Sequence, residues 1–367
     1  MAGPPAATAA VRLAVRQCLA GLVGVAGLVA EGEPAASTVY AAVSGGADSL
    51  ALAAALAFER PGAGALVVDH GLQPGSAQVA ERAAGQCRSM GLSVRVLGPG
   101  TDIGAGVGRP SRAEGGDGPR GAGGPEARAR AMRYGLLDLA AGGAPVLLGH
   151  TLDDQAETVL LGLARGSGGR ALAGMASVRG PYRRPLLSLT RSTTRAACAE
   201  AGLVPHDDPH NLDARFRRVR ARATVLPVLE RELGPGVAAA LARTARLLGE
   251  DADALDALAA RVAVDTEPST EALLQLPAAV RTRVLKRWAE QVCGRAVGAA
   301  HVDALRQLVE SWRGQGPVHL PGGARAGRRA GRLVVLAAVS TAVGGAVTTS
   351  GGSRSAEREH PAVRVRR

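Results

Sequence analysis

The sequence predicts an α/β fold in which a five-stranded parallel sheet with helices on both faces is followed by a smaller, mainly helical domain. Apolar, strand-like runs alternate with helical stretches in the first half of the chain, as expected for a parallel sheet. From about Val237 onwards helical periodicity dominates. With 367 residues and 46% apolar content, the chain is long enough to fill two cores.

The elements of the sheet domain follow one another in regular order. Strands are predicted at 39–43, 65–68, 93–97, 145–148 and 182–187. Helices are predicted near 49–58, 76–90, 126–141 and 152–164. In such sheets ligands bind where loops leave the carboxyl ends of the strands. We therefore expect the ligand site at the loops that follow residues 43 and 148.

Composition divides the chain into an extension, two domains and a tail, with an insertion inside the first domain. Residues 1–35 form an N-terminal helical extension, residues 36–232 the sheet domain and residues 237–342 the helical domain. Within the last of these, leucines at 241, 247, 248, 255 and 258 recur at helical spacing, and residues 317–336 resemble a β-hairpin. Residues 98–125 and 343–367 contain mainly small, polar and arginine residues, so we predict a disordered insertion and a disordered basic tail.

The loop after the first strand is predicted to bind phosphate. Its residues are Ser44, Gly45, Gly46, Ala47, Asp48 and Ser49. A strand, a glycine turn and a helix start bring unpaired N–H groups and a positive helix dipole to one point. The serines add hydroxyl donors. Because the Asp48 carboxylate would repel phosphate unless a divalent cation lay between them, we predict that it holds Mg²⁺.

A glycine turn before a helix is about as often an ordinary βα turn as a ligand site, and the polar side chains favour the ligand site here. The loop lacks the Gly-Lys-Ser/Thr ending of the Walker-type loop. A lysine clamp on a transferable γ-phosphate is therefore not predicted.

A second polar cluster follows the fourth strand. Asp154 and Glu157 are three residues apart and share one helix face, and His150 lies at the strand end beside them. The carboxylates could bind an amine, hold Mg²⁺ or accept a proton, and His150 could orient a phosphate or a leaving oxygen. Asp153 and Asp154 could instead merely cap the helix. Four ionisable groups opposite a phosphate loop favour a site, and their spacing matches no two-histidine zinc signature.

Composition and cysteine use point to a cytoplasmic protein. Lys286 is the only lysine, so the net charge of +12 partly reflects an arginine-rich background. The four cysteines are widely separated and indicate neither a zinc site nor a disulfide framework. The apolar run 18–30 has the length of a signal-peptide core, but the phosphate loop follows so closely that we interpret the run as a helix. No run reaches the length of a membrane span.

An ordered set of motifs carries a family resemblance. Loop 44–49 resembles the pyrophosphate loop of the PP-loop ATP pyrophosphatases. The set continues with Val-Asp-His-Gly-Leu at 68–72, the segment 149–168, Arg-Pro-Leu-Leu at 184–187, Asp-Pro-His-Asn-Leu-Asp at 208–213 and the arginine-rich 215–222. Together, from about residue 36 to 336, these motifs resemble the tRNA(Ile)-lysidine synthase family. The resemblance implies a Rossmann-like PP-loop catalytic domain and a helical tRNA-binding domain.

The resemblance also implies a reaction. ATP would adenylate C2–O of the wobble cytidine, position 34, of the tRNA(Ile) with anticodon CAU, and the ε-amine of free L-lysine would then displace AMP to form lysidine. Asp154 and Glu157 match positions associated with lysine recognition, and Asp48 would hold Mg²⁺. We assign His150 to the phosphate side or the activated base. A homodimer is a reasonable expectation for such a protein.

Further residues are assigned by the same resemblance. Arg218 and Arg222 are i,i+4 neighbours that would hold substrate carboxylate, phosphate or tRNA, with Arg222 also counted as catalytic. Arg130 and Arg133 belong to a helix expected near the tRNA, with a surface salt-bridge ladder as the alternative. For Arg218 and Arg222 the alternative is a solvated helix face. Val219 replaces a usual asparagine. A further pair, Asp69 and His70, lies where the adenosine end of the nucleotide would bind, although Asp69 could simply cap a turn.

Three other functions compete with ligation. A PP-loop tRNA thiolase shares the ATP chemistry but needs suitably placed cysteines, and none of the four here is so placed. A PP-loop amidotransferase would need a glutaminase domain, for which no motif appears. A non-catalytic RNA-binding protein would not need the Ser44, Asp48 and Ser49 side chains together with the cleft carboxylates.

Overall fold

A computed structural model describes residues 3–26, 38–69, 71, 75–98, 125–208 and 213–336. The chain divides into two compact units, Met1–Arg261 and Val262–Arg367. The predicted insertion 98–125, apart from its two end residues, and the predicted tail 343–367 lie outside the described residues.

The first unit is built on a six-stranded sheet in the order β3-β2-β1-β4-β6-β5. Its strands are β1 Tyr40–Val43, β2 Gly64–Val68, β3 Ser93–Leu97, β4 Val146–Leu148, β5 Val178–Arg179 and β6 Tyr182–Arg183. All neighbours are parallel except β5, which pairs antiparallel with β6. The predicted five-stranded parallel sheet is thus confirmed, with one short antiparallel strand added at its edge.

Helices cover both faces of this sheet, as predicted. They are α1 Ala6–Ala26, α2 Ala47–Glu59, α3 Ser76–Ser89, α4 Pro125–Ala141, α5 Leu152–Leu163, α6 Gly169–Leu172, α7 Arg191–Glu200, α8 Arg217–Arg220, α9 Leu226–Leu233 and α10 Val237–Ala260. Alternate strand residues feed two cores: Ala41 and Val43 face the helices α1, α2, α3 and α7, whereas Ala42 faces α4. Because neither face of such a strand meets solvent, its sequence is continuously apolar.

The edge of the sheet after β4 differs from the prediction. The expected strand 182–187 ends at Arg183, and residues 185–188 form a turn. The Tyr182 hydroxyl donates a hydrogen bond of 2.5 Å to Asp138, and its ring meets Tyr134 edge-on at 5.0 Å. These contacts of Tyr182 help to hold β6 in place, although the strand has only two residues.

Helix α10 belongs to the first unit, although the sequence predicted that the helical domain begins at 237. It packs against α5 and α6, and Arg170 of α6 pairs with Asp253. The buried face consists of Ala245, Ala252 and Ala259, while Leu247 and Leu258 are about half exposed. The three buried alanines are spaced seven residues apart, so they lie along one face of α10.

The second unit combines helices with a small antiparallel sheet. Its elements are α11 Thr270–Leu274, α12 Ala278–Cys293, α13 Ala299–Glu310, β7 Val318–His319, β8 Arg325–Arg329 and β9 Arg332–Leu336. Trp288 is fully buried and donates from Nε1 to the Thr266 carbonyl at 3.0 Å. The predicted hairpin is present as β8 and β9, and β7 adds a third strand. Among the described residues, no helix has the length and apolarity that a bilayer crossing requires.

Candidate active site

The phosphate loop lies between β1 and α2, at the carboxyl edge of the sheet. Gly45 has φ +85°, a conformation that favours glycine, and Gly46 precedes the first helical residue. The Ser49 hydroxyl accepts from the Ser44 N–H at 3.2 Å and donates to the Gly46 carbonyl at 2.9 Å. These local bonds fix the turn and leave the start of α2 without a side-chain cap. The first turn of this helix can therefore donate N–H groups to an anion.

Gly149 brings the second polar cluster against this loop. A Cβ built on Gly149 would lie 3.1 Å from both the carbonyl carbon and oxygen of Asp48 and 3.2 Å from Ser49 Cα. These are backbone atoms of the first turn of α2, so they cannot rotate away. Only a residue without a side chain allows β4 to end so close to the phosphate loop.

We expect Gly149→Ala to lower the free energy of unfolding by about 1–3 kcal/mol, because overpacking must move either α2 or the end of β4. Urea unfolding measures this loss, and nucleotide titration should show weaker binding at the displaced loop. Gly85→Ala is the matched control, since a Cβ there meets nothing within 4 Å inside α3. Alanine in that helix should stabilise by about 0.5–1 kcal/mol. Equal stability of the two variants would contradict this account.

Asp48 lies in the first turn of α2 with one quarter of its side chain exposed. Its carboxylate accepts a short hydrogen bond from the Thr194 hydroxyl and lies 3.6 Å from Arg191 Nε. Burial raises the pKa of Asp48, against the opposing effects of Thr194 and Arg191. The fold thus keeps the Asp48 carboxylate in a position where burial disfavours its ionised form, which is typical of a functional group.

A single carboxylate beside a phosphate loop fits Mg²⁺, which keeps several waters and is usually held by one or two carboxylates plus substrate phosphates. Within the described ranges, no group of three or more histidine, cysteine or carboxylate side chains could hold a metal on its own. Asp48 would therefore hold Mg²⁺ only together with the phosphates of a bound nucleotide.

The second cluster is centred on Glu157, whose side chain is completely buried. Arg222 contacts it through Nε at 2.6 Å and Nη2 at 3.2 Å, and Arg218 Nε lies 3.6 Å away. The structure therefore brings together Glu157 with both predicted arginines. A buried carboxylate needs such partners, because an unpaired charge in the interior is very costly.

Both arginines reach Glu157 although they do not share a regular α-helix. Helix α8 ends at Arg220, and Ala221–Val225 forms a π-helical turn before α9 begins. Single π-helical turns occur frequently at functional sites. Val219, which takes the place of the family's asparagine, is buried. The position packs into the interior here and makes no polar side-chain contact of the kind an asparagine would make.

Asp154 combines a capping contact with a place in the cluster. One oxygen accepts from the Thr151 N–H at 2.9 Å, and the other accepts from Arg191 Nη2 at 2.8 Å. Burial alone would raise the pKa of Asp154, but Arg191 and the Thr151 N–H outweigh it and the pKa is lowered. Asp154 is thus ionised at neutral pH and suited to bind a cation.

Asp153 has a structural contact of its own. Its Oδ2 accepts from the Arg191 N–H at 2.7 Å, at the start of α7. The capping of α5 that the sequence allowed for is made by Asp154 through the Thr151 N–H, whereas Asp153 binds the first N–H of α7. Asp154 and Glu157 face the cluster of arginines. Asp153 therefore has a structural contact, whereas Asp154 and Glu157 belong to the candidate site.

His150 lies at the end of β4, where its Nδ1 is buried without a hydrogen-bond partner among the described residues. Burial, together with the charges of Arg133, Arg184 and Arg130, lowers the pKa of His150 to about 3 against the opposing effect of Asp154. The imidazole is therefore neutral at pH 7. The same effect puts Arg130 and Arg133 of α4 within electrostatic range of His150. Their predicted contact with tRNA stays a prediction.

The predicted nucleoside-binding pair is only partly described. Asp69 accepts from the Gly71 N–H at 2.9 Å, which is the turn-capping contact considered from the sequence. His70 lies outside the described residues. The role of both residues in nucleotide binding stays a prediction.

Sequence reasoning missed Arg191, which contacts three of the predicted site residues. It lies at the first position of α7 and reaches Asp48, Asp154 and Glu157. In a chain with this many arginines, one more after Leu-Thr gives no local signal. Arg191 reaches the site only because α7 packs beside α2 and begins next to α5.

Comparison with known proteins places this site in a family. A model described as the PP-loop domain matches residues 25–229, and one described as the TilS substrate binding domain matches residues 269–334. The first match confirms the predicted PP-loop domain and, with it, ATP binding.

Curated relatives match over nearly their whole lengths. The tRNA(Ile)-lysidine synthase of Nocardia farcinica is 50% identical over 324 residues, which cover 85% of this chain and 96% of the relative. That of Thermobifida fusca is 47% identical and covers 92% of this chain and 100% of the relative. That of Streptomyces coelicolor is 47% identical, with 91% and 99% covered. With both domains matched in the predicted order and half of the residues shared, this chain belongs to the tRNA(Ile)-lysidine synthase family.

Proposed function

We propose that this PP-loop enzyme is a carbon–nitrogen ligase that joins free L-lysine to C2 of the wobble cytidine of tRNA(Ile) with anticodon CAU. The main support is the position of a buried carboxylate cluster beside a phosphate loop. Asp154 and Glu157 lie with Arg191, and Arg191 also contacts Asp48 in the loop. An acidic amine site next to a nucleotide site is what a two-step lysine ligation requires.

In the first step, O2 of the cytidine would attack the α-phosphorus of ATP. A new oxygen–phosphorus bond forms, the α–β bond breaks, and pyrophosphate leaves. The N–H groups at the start of α2 would stabilise the growing negative charge. Asp48 would hold Mg²⁺, which would neutralise charge on the phosphates.

In the second step, the lysine ε-amine would attack C2 and AMP would leave with the oxygen. The ammonium must first lose a proton, which would pass to a water molecule in the site and from there to solvent. Asp154 is a poor base, because its pKa is lowered, and its task is rather to hold the ammonium. His150, with a pKa of about 3, is also a poor base and serves as a neutral hydrogen-bonding group facing the base or phosphate. Arg130 and Arg133, near His150, are placed to meet tRNA phosphates.

Buried thiols disfavour the thiolase alternative. Burial raises the pKa of Cys87 to about 11 and also raises the pKa of Cys18 and Cys198. At neutral pH these three thiols would contain very little thiolate, which is the nucleophile that sulfur transfer needs. Lysine ligation has no such requirement.

Other parts of the proposal come from the family alone. The region matched at 269–334 would bind tRNA, the protein would act in the cytoplasm, and a homodimer is expected. The domain division at 36–232 and 237–342 is retained as a functional proposal, with α10 packed on the catalytic unit.

The test is an assay of the full chain with Mg-ATP, labelled L-lysine and a tRNA(Ile) transcript carrying CAU. We expect label in the tRNA together with equal amounts of AMP and pyrophosphate. A transcript with uridine at the wobble position is the control and should remain unlabelled. Release of ADP, or labelling that ignores the wobble base, would contradict the proposed function.

A further inference from the structure

We propose that Arg191 is a positioning residue that occupies the amine site until a Mg-nucleotide binds, so that nucleotide binding and lysine binding favour each other. This inference rests on the proposed function, because it assumes that lysine binds at Asp154 and Glu157. It adds an order of binding to that site and assigns the order to one side chain.

The geometry of Arg191 joins the two halves of the site. Its Nε lies 3.6 Å from Asp48 Oδ2, and its Nη2 lies 2.8 Å from Asp154 Oδ1 and 3.6 Å from Glu157 Oε1. Four fifths of the side chain is buried. A single guanidinium therefore contacts both the carboxylate proposed for the metal and the two proposed for lysine.

The balance of charge makes Arg191 the natural competitor of lysine. Glu157 has Arg222 at 2.6 Å as its closest partner, whereas Asp154 has Arg191 at 2.8 Å and Arg222 only at 3.5 Å. An arriving ammonium needs a carboxylate that is not already neutralised. It would therefore take the place of the Arg191 guanidinium at Asp154.

A bound nucleotide would draw Arg191 away from Asp154. Mg²⁺ at Asp48 would repel the guanidinium, and the phosphates of the nucleotide would offer it new acceptors on the loop side. Both changes weaken the contact between Arg191 and Asp154. Lysine would then enter a free acidic site when ATP, its partner in the reaction, is present.

The main chain of Arg191 stays fixed during such an exchange. Its N–H donates to Asp153 at 2.7 Å, and its carbonyl accepts from the Thr194 hydroxyl at 2.9 Å. Neither bond uses the guanidinium. A substitution of the side chain therefore keeps the start of α7 in place and tests the charge alone.

The experiment measures lysine affinity by calorimetry, with and without Mg²⁺ and α,β-methylene-ATP, which cannot be cleaved between its α and β phosphates. In the unsubstituted protein we expect the nucleotide to raise lysine affinity by about 5-fold to 150-fold, the usual range for coupled sites. In Arg191→Met the nucleotide-free protein should bind lysine more tightly than the unsubstituted one, and the effect of the nucleotide should disappear.

The matched control is Arg195→Met, one turn further along α7. Arg195 is more than half exposed and pairs with Asp207 at 3.2 Å, so coupling should be as in the unsubstituted protein. Arg191→Lys keeps one charge that cannot span both carboxylates and should reduce the coupling without abolishing it. This variant carries the test if Arg191→Met does not fold.

The outcomes separate the inference from the function on which it rests. Three results would overturn the role of Arg191. In the first, the nucleotide leaves lysine affinity unchanged in the unsubstituted protein, and in the second, the coupling survives in Arg191→Met. In the third, Arg191→Met lowers lysine affinity equally with and without the nucleotide. Absence of both lysine binding and lysine incorporation by the unsubstituted protein contradicts the proposed function itself.

Discussion

Replacing Asp48 by alanine is expected to slow pyrophosphate release on the order of 100-fold or more, while the fold is retained. A metal ion on transferring phosphates contributes several kcal/mol to the transition state, and each 1.4 kcal/mol is about tenfold in rate. Asp48 is the carboxylate that we propose holds that ion at the phosphate loop. Its loss should also raise the Mg²⁺ concentration needed for half-maximal activity.

The stability of Asp48→Ala separates chemistry from folding. Because burial raises the pKa of Asp48, the ionised carboxylate is disfavoured in the folded protein at neutral pH. Alanine removes that unfavourable charge, so the melting temperature should change little. Asp207→Ala is the control, since Asp207 is exposed and pairs only with Arg195 among the contacts described for it. Lysine incorporation that persists in Asp48→Ala would rule out the proposed metal role.

The sheet and its two functional loops could be predicted because their signals are local. Strands buried on both faces give continuous apolar runs, and the loop after β1 carries its glycines and serines within six residues. Asp154 and Glu157 could be predicted to lie together because their spacing of three residues puts them on one helix face. In each case the relevant contacts lie within one element or one turn.

The features that sequence reasoning missed depend on contacts between distant segments. Arg191 meets Asp48 only because α7 packs beside α2, and nothing near position 191 distinguishes it from other arginines. Helix α10 packs with the first compact unit because of its contacts with α5 and α6, which the leucine spacing that placed it in the helical domain does not indicate. Short strands such as β5 carry too few residues for any periodic signal.

The buried Glu157 offers the second large effect. Glu157→Gln keeps the shape of the side chain and removes its charge, which leaves Arg222 and Arg218 without their closest acidic partner. We expect the apparent KM for lysine to rise on the order of 100-fold, because the site loses one of its two negative charges and Arg222, which lies 3.5 Å from Asp154, would then compete with the ammonium there. ATP-dependent pyrophosphate release with saturating tRNA should change much less, since Glu157 does not touch the phosphate loop in the described contacts.

The same substitution should also cost stability, and this cost must be separated from the loss of lysine binding. Breaking a buried ion pair costs about 3 kcal/mol where one partner is partly exposed, as Arg222 is, which corresponds to a melting temperature lower by roughly 5–10 °C. Glu59→Gln is the matched control, because Glu59 holds Arg16 through two hydrogen bonds at the far end of α2. Because Arg16 is mainly exposed, this pair should contribute no more than about 1 kcal/mol and leave the KM for lysine unchanged. An equal loss of lysine and ATP use in Glu157→Gln, at a temperature where the variant is folded, would make Glu157 a structural residue and leave Asp154 alone to hold the ammonium.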